Sequence, residues 1–394
     1  MSIVSNHVLC YHSLEMTNER PPTVETQPSP FAPPGDLLWI LPLLQGVFLV
    51  EDVTGEVGPR RAIRLRGRFL IDSGLAFARL SPLFRARGRT LRVTPDGDRA
   101  ALWVIEGVIQ PTPNNRWLPP LLAVLTVLSI LATSTLLWHG DGLTWSNLGA
   151  RLSQGLQFTV SLVTILLAHE LGHYAMARRL GVAVTLPYLI PFPLSLFGTM
   201  GAIIRIKDIP PNRRALLLIG AAGPLAGLLV GIPILILGIS LSPVLALPPE
   251  GGYLLEGNSL LYGGLKALIH GRWLPSQGMD MDMHPIAFAG WAGLLITSLN
   301  LIPAGQLDGG HAARALLGAK TRYLTWALIG ALLLLGFLWQ GWLMWAVLVF
   351  IFSRHEVEPL DTYTPLGRRE MVIAAVLLAL FVLTFTPIPL RTVF

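Results

Sequence analysis

ILLAHELGHYAMARR, residues 165–179, decides how the rest of the chain is read. It sets His169 and His173 four residues apart, on one face of any helix formed there, with Glu170 beside that face. Two imidazoles at this spacing can ligate one Zn2+, and the adjacent carboxylate can take a proton from the activated water and return it to a leaving amine. The blander reading is a pair of buried helix histidines bonded to neighbours. It is disfavoured because three ionisable groups fall within five residues of an apolar run, where function is the default explanation of so costly an arrangement.

The composition around this stretch agrees with a bilayer setting. Of 394 residues 52% are hydrophobic and only 13% charged, about half the charge of a soluble domain. With a mean hydropathy of +0.59 and several long uncharged runs, a wholly soluble enzyme is excluded. The net charge of +6 is small, mostly arginine, and spread over span flanks and soluble segments; it reads as positive-inside charge, so no nucleic-acid partner is expected. Cys10 is the only cysteine, which forbids an intrachain disulfide and leaves His, Asp and Glu to build any metal site inside the membrane.

Membrane spans are expected over 117–138, 156–178, 215–241, 285–307, 323–339, 342–353 and 371–390, the sixth being too short alone. All the basic flanks share one side, taken as cytosolic, only if 323–353 is a hairpin turning at 339–341; one continuous helix would put Arg354, Arg368 and Arg369 outside. The stretch 182–207 fits no span. Pro187, Pro191 and Pro193 forbid a helix, and Gly198, Gly201, Thr199, Ile203 and Ile204 favour an extended hairpin. Such backbone at membrane depth must be covered by protein or line a wet cavity. The fold class is therefore a polytopic α-helical membrane protein of six or seven transmembrane helices with a membrane-re-entrant β-hairpin, preceded by a small α+β soluble domain.

That domain is expected over 36–110. A buried helix should lead into a strand, followed by a second strand at 62–70, a helix at 73–88 and two strands around Asp96-Gly97. Residues 1–35, acidic and ending in PSPFAPP, read as a disordered tail in which His7, Cys10 and His12 are weak candidates for a metal.

A catalytic zinc needs a third protein ligand and an open position for water. Asp308 follows an uncharged run in SLNLIPAGQLDGGHAARALLG (298–318), six residues before Arg314, while His169 lies nine before Arg178. Both counts put the groups about 9 to 14 Å inside the basic flank. Asp308 can also be a helix N-cap, a compatible role, and His311 is an alternative ligand or a partner of Asp308.

At these residues the chain resembles the site-2 protease family of intramembrane zinc metallopeptidases. HELGH (169–173) matches its HExxH, and Asn300, Pro303, Asp308 and Gly309 match its NxxPxxxxDG. FGTMGAIIRIK (197–207), AAGPLAG (221–227), HPIAFAGWAGL (284–294) and PLDTYTPLGRR (359–369) look like its chloroplast and cyanobacterial branch, and the likeness spans 117–390. The resemblance implies that His169, His173 and Asp308 bind Zn2+ and that Glu170 is general base and then acid. It implies that Asn300 lies near the metal, holding substrate or the oxyanion, although an interhelical hydrogen bond explains an amide there equally simply. It further implies that Gly198, Thr199 and Gly201 belong to a hairpin that pairs with an unwound substrate; tight turns without ligand contact are the alternative. AAGPLAG reads as close helix packing rather than as a site.

The expected function is hydrolysis of peptide bonds in transmembrane segments of other proteins, in a multi-pass protein of a bacterial inner membrane with the N-terminal module and the active-site opening on the cytosolic side. Transport of Zn2+ competes but needs releasable ligands and a path outward, where few ionisable groups are found. A non-proteolytic chaperone or scaffold is opposed by the intact Glu170. The loop MDMDMH (279–284) mixes hard and soft donors and reads as a solvated linker before a metal site.

Overall fold

The structure, a computed structural model, describes residues 34–57, 62–108, 110, 115–136, 144–247, 253–354 and 357–393; His7, Cys10 and His12 lie outside these. The first elements are α1 (Pro34–Leu44), β1 (Phe48–Val57), β2 (Ala62–Phe69), α2 (Ser73–Arg85), β3 (Arg89–Asp96) and β4 (Arg99–Glu106). Alternation in β2 turns Ile63 and Leu65 inward and Arg64 and Arg66 outward. Asp72 starts α2 by accepting the Leu75 N–H at 2.9 Å. Gly97, at φ +65°, allows the tight turn that pairs Asp96 with Arg99. The antiparallel sheet has the order β1-β2-β4-β3, and Ile40, Leu44, Phe77, Leu80 and Phe84 of the two helices cover one face of it.

The remainder consists of α3 (Leu118–Leu136), α4 (Leu148–Arg179), β5 (Tyr188–Pro191), β6 (Thr199–Ile203), α5 (Arg213–Ser240), β7 (Val244–Ala246), β8 (Tyr253–Glu256), α6 (Leu260–His270), β9 (Met279–Met281), α7 (Pro285–Asn300), α8 (Asp308–Leu317), α9 (Thr321–Leu335), α10 (Gly341–Phe352), α11 (Arg368–Thr384) and β10 (Leu390–Val393). Among the described residues, three helices, α3, α4 and α5, are long and apolar enough to cross a membrane, and α7 and α10 are apolar but shorter. The run expected to span 285–307 stops at Asn300, because Pro303 cannot continue a helix and Gly305 turns the chain at φ +59° before α8 begins. Between α9 and α10 the chain folds back over 336–340, which brings Trp326 near the start of one helix to 5.9 Å from Phe350 near the end of the other.

Small residues set the helix spacing. A Cβ on Gly172 of α4 would lie 2.4 Å from the Ala222 carbonyl oxygen of α5, and one on Gly238 of α5 would lie 2.2 Å from the Ala287 nitrogen of α7. These near-backbone contacts leave Phe158, Leu162, Leu166, Leu235, Ile239 and Trp291 to fill the core. The β5–β6 hairpin packs beside α3 and α4. Its backbone is satisfied by hydroxyls: Ser129 donates to the Gly198 carbonyl at 2.6 Å, Thr133 to that of Pro193 at 3.1 Å, and Thr199 to that of Ile190 at 2.8 Å.

A strap joins the N-terminal sheet to the helices. The strap 357–366 lies along the open edge of β3, where Val93 donates to the Leu360 carbonyl at 2.8 Å and Thr362 to that of Val93 at 2.9 Å. On its other side Leu360 and Asp361 donate to the carbonyls of Pro210 and Pro211, both at 3.0 Å, just ahead of α5. In the loop between α5 and α7, Lys266 is fully buried between Glu256 at 3.1 Å and Asp280 at 3.4 Å, and Tyr262 donates to Glu256 at 3.0 Å.

Candidate metal centre

His169 and His173 project from the C-terminal half of α4 and are 4% and 5% exposed, so both rings are shielded from solvent. The His173 Nδ1–H donates to the Ile219 carbonyl at 2.7 Å, which fixes the tautomer and leaves Nε2 free to accept. That Nε2 lies 3.2 Å from the Nε2 of His169. Asp308, the first residue of α8, places one carboxylate oxygen 3.1 Å from His169 Nε2 and the other 3.2 Å from His173 Nε2. The N-cap position, the alternative role the sequence offers Asp308, is taken by Leu307 with no side-chain cap, and the carboxylate faces the histidines.

The spacing suits a metal. Donors on a tetrahedral ion with bonds near 2.0–2.1 Å stand about 3.3 Å apart. The three donor groups come from two segments, the histidine pair and Asp308, 135 or more positions apart, and their ligand atoms all lie within 4.8 Å of one another. Two imidazoles and a carboxylate, aimed at one point with one histidine oriented by a backbone carbonyl, form a donor set that fits Zn2+.

Glycines make the room. A Cβ on Gly223 would stand 2.0 Å from His173 Nε2, and one on Gly227 would stand 3.1 Å from His169 Nδ1. AAGPLAG thus does more than the close packing expected of it: its four-residue step matches the four-residue step of the histidines across the helix interface. Gly309 and Gly310 likewise let α8 start against the backbone of 301–305, since their Cβ atoms would lie 2.0 Å from the Leu301 oxygen and 2.3 Å from that of Gly305.

Glu170 is 5% exposed and its carboxylate faces the backbone N–H of Ile204, immediately after β6, so it stands between the histidines and the hairpin. Asn300 is half-buried at the last residue of α7, next to Leu301, whose carbonyl touches the start of α8. His311 sits one turn beyond Asp308 against Gly220 and is not part of the three-ligand cluster. On the hairpin, the close approach of Gly198 is made to α3: at φ +73° its Cβ would lie 2.6 Å from Ile130 Cα. Thr199 is buried and accepts the Gly201 N–H at 3.0 Å, holding the turn. Gly201, at φ +96°, has open space where a Cβ would be. In MDMDMH, Asp280 is engaged with Lys266, Met281 is buried and His284 caps α7.

Sequence reasoning passed over the Ile219 carbonyl, the glycine cradle and the strap. Only the cradle had a visible signal, in the matched spacing of 169/173 and 223/227.

Comparison with known proteins points the same way. Residues 157–337 match the model of peptidase family M50. A probable zinc metalloprotease EGY2, chloroplastic, of Oryza sativa subsp. indica is 34% identical over 277 residues, covering 69% of this chain and 50% of the relative. The protein of the same name from Arabidopsis thaliana is 36% identical over 225 residues (55% and 40%), and the probable zinc metalloprotease EGY1, chloroplastic, of that plant is 33% identical over 242 residues (59% and 43%). The chain spans about half the length, or less, of these curated relatives. With both histidines and Asp308 inside the matched segment, the chain belongs to peptidase family M50, the site-2 protease family, on the branch of its plant chloroplast relatives.

Proposed function

We propose that this protein is an intramembrane zinc metalloendopeptidase that hydrolyses peptide bonds within transmembrane segments of other membrane proteins. The observation that carries the reading is the convergence of His169, His173 and Asp308, with donor atoms 3.1–3.2 Å apart in a buried site. These three residues would hold the ion. Zn2+ bound there supplies Lewis acidity, lowering the pKa of water and polarising the scissile carbonyl. Glu170 takes the proton from the attacking water and passes it to the leaving amine; its burial beside the hairpin keeps the carboxylate near a peptide lying against β6. Asn300 offers an amide to the substrate or to the developing oxyanion. Gly201 and Thr199 keep the free edge of β6 open for an extended peptide, since a helical substrate hides its carbonyls and must unwind first, while Gly198 seats the hairpin on α3.

In this reading the helices make six or seven spans, α9 and α10 forming one of the shorter pairs, and β5–β6 is re-entrant. The hydroxyl contacts from α3 supply the hydrogen-bond partners such backbone needs at membrane depth. Residues 36–110 form a separate module on the side of the metal site, and 117–390 the protease domain. That side is the cytosolic face of a bacterial inner membrane, whereas the plant relatives are named for the chloroplast.

The test is cleavage of a tagged single-span substrate by purified protein in liposomes. Glu170→Gln should keep its zinc and lose activity by at least about a hundredfold. Equal cleavage by wild type and variant at equal zinc content would overturn the role of Glu170, and a protein that takes up no zinc would overturn the ligand assignment.

A further inference from the structure

Helix α8 is short, and Asp308 is its first residue, so the position of that ligand depends on what holds the rest of the helix. Two sets of contacts reach its last turn from the strap. Glu358 receives Arg314 of α8 through one carboxylate oxygen and Arg92 of β3 through the other. Asp361 is 1% exposed; its carboxylate accepts the N–H groups of Tyr363 and Thr364, both at 3.0 Å, and lies close enough to Arg213 to act on its charge. Arg213 in turn donates to the Ala315 and Leu316 carbonyls, both at 2.6 Å, capping the end of α8. Backbone pairing fixes the strap between Val93 of β3 and Asn212 of the α5 N-cap.

We infer that Glu358 is a positioning residue for the metal centre: by tying Arg314 to Arg92 it couples the docked N-terminal module to α8 and so holds Asp308 at ligand distance from His169 and His173. The inference rests on the metal assignment proposed above. Glu358 itself touches no donor group and acts only through α8. The physical basis is the rigidity of a ten-residue helix, which shifts as one body when one of the two ties on its last turn is loosened. Metal donors tolerate only about 0.2 Å of misplacement, so a slight tilt of α8 is felt at Asp308. Besides the strap, Arg85 of α2 pairs with Asp208 ahead of α5 at 3.1 Å, a contact that does not involve α8.

Full-length protein in detergent distinguishes the possibilities by two measurements: the apparent zinc dissociation constant, from competition with a chromogenic chelator, and the unfolding midpoint of the zinc-free protein. Glu358→Gln, which weakens both ion pairs, should raise the dissociation constant about threefold to tenfold. Arg92→Ala, which removes only the module's side, should raise it about threefold, and the zinc-free midpoint should stay put in both. Tight wild-type binding with both variants unchanged would overturn the inference and leave the metal assignment standing. A fall in the zinc-free midpoint that accounts for the affinity loss would overturn it in favour of general destabilisation. An effect of Glu358→Gln without one of Arg92→Ala would overturn the part assigned to the module. Wild-type protein that binds no zinc would overturn the assignment itself.

Discussion

Adding one methyl group at Gly223 should empty the metal centre. The Cβ of alanine there would stand 2.0, 2.3 and 2.4 Å from Nε2, Cδ2 and Cε1 of His173, on the nitrogen that faces the other two donors. Ordinary contact distances are near 3.5 Å, so the ring must retreat by about 1.5 Å. It has little freedom to do so, because its Nδ1–H is held at 2.7 Å by the Ile219 carbonyl. Separating the helices is blocked as well, since Gly172 already rests on the Ala222 backbone and that packing would be lost. A displacement of this size exceeds the tolerance of a metal bond several-fold. We expect Gly223→Ala to weaken zinc by at least about a hundredfold, near 2.8 kcal/mol. The assay is chelator competition on folded protein, with Gly231→Ala as control. Its Cβ would meet Ile165 at 3.6 Å, an ordinary contact, so its affinity should stay within about twofold. Folded Gly223→Ala protein with wild-type affinity would refute the reasoning.

Two further outcomes follow from contacts away from the metal. Ser129→Ala removes one of two donors to the Gly198 carbonyl, which keeps the Phe192 N–H at 3.1 Å, a loss of about 0.5–1.5 kcal/mol, so amide exchange in β5 and β6 should accelerate at least about twofold while α5 is unaffected; unchanged exchange would show that the hydroxyl does not hold the hairpin. Burial pushes the Glu256 carboxyl above the usual range, against the opposing pull of Lys266. A carboxyl that binds its proton more tightly folded than unfolded contributes stability at low pH, and this is lost as pH rises from the ordinary value of about 4.3 through its folded value. The thermal midpoint should fall over that window, Glu256→Gln should flatten the fall, and identical slopes would count against the buried cluster as its source.

How much of this was legible in the sequence depends on the range of the interaction. The histidine pair is local, because helical periodicity alone fixes two side chains four residues apart. Pairing Asp308 with them needed a depth count from two basic flanks, and that count was informative because the membrane gives the chain an external ruler. The strands of 48–106 and the hairpin at Asp96-Gly97 follow from period-2 alternation and the turn residues, whereas the sheet order, with β2 beside β4, is set by contacts between distant segments. By contrast, the fate of Gly198 was not readable: a positive-φ glycine is the same in sequence whether its open side faces a ligand or, as here, Ile130 of α3. The strap was hidden for a related reason. Glu358 and Asp361 look like loop acids until their partners, 266 and 148 positions earlier at Arg92 and Arg213, are known.

The fold-back at 336–340 governs which end of the helical bundle the later chain occupies. Trp326 and Phe350 meet, Gly305 stands against the backbone of Phe352 and Ser353, and the chain leaves α10 at the end where it entered α9. An unbroken helix over 321–352 would be about 48 Å long and would deliver residue 357 to the opposite end. The edge of β3 would then lie out of reach of Leu360 and Thr362, and Arg314 would lose Glu358. The parity of passes through this one segment therefore decides whether the N-terminal sheet can be fastened to the helices at all, and a short break far from the metal becomes a requirement of the connectivity around it.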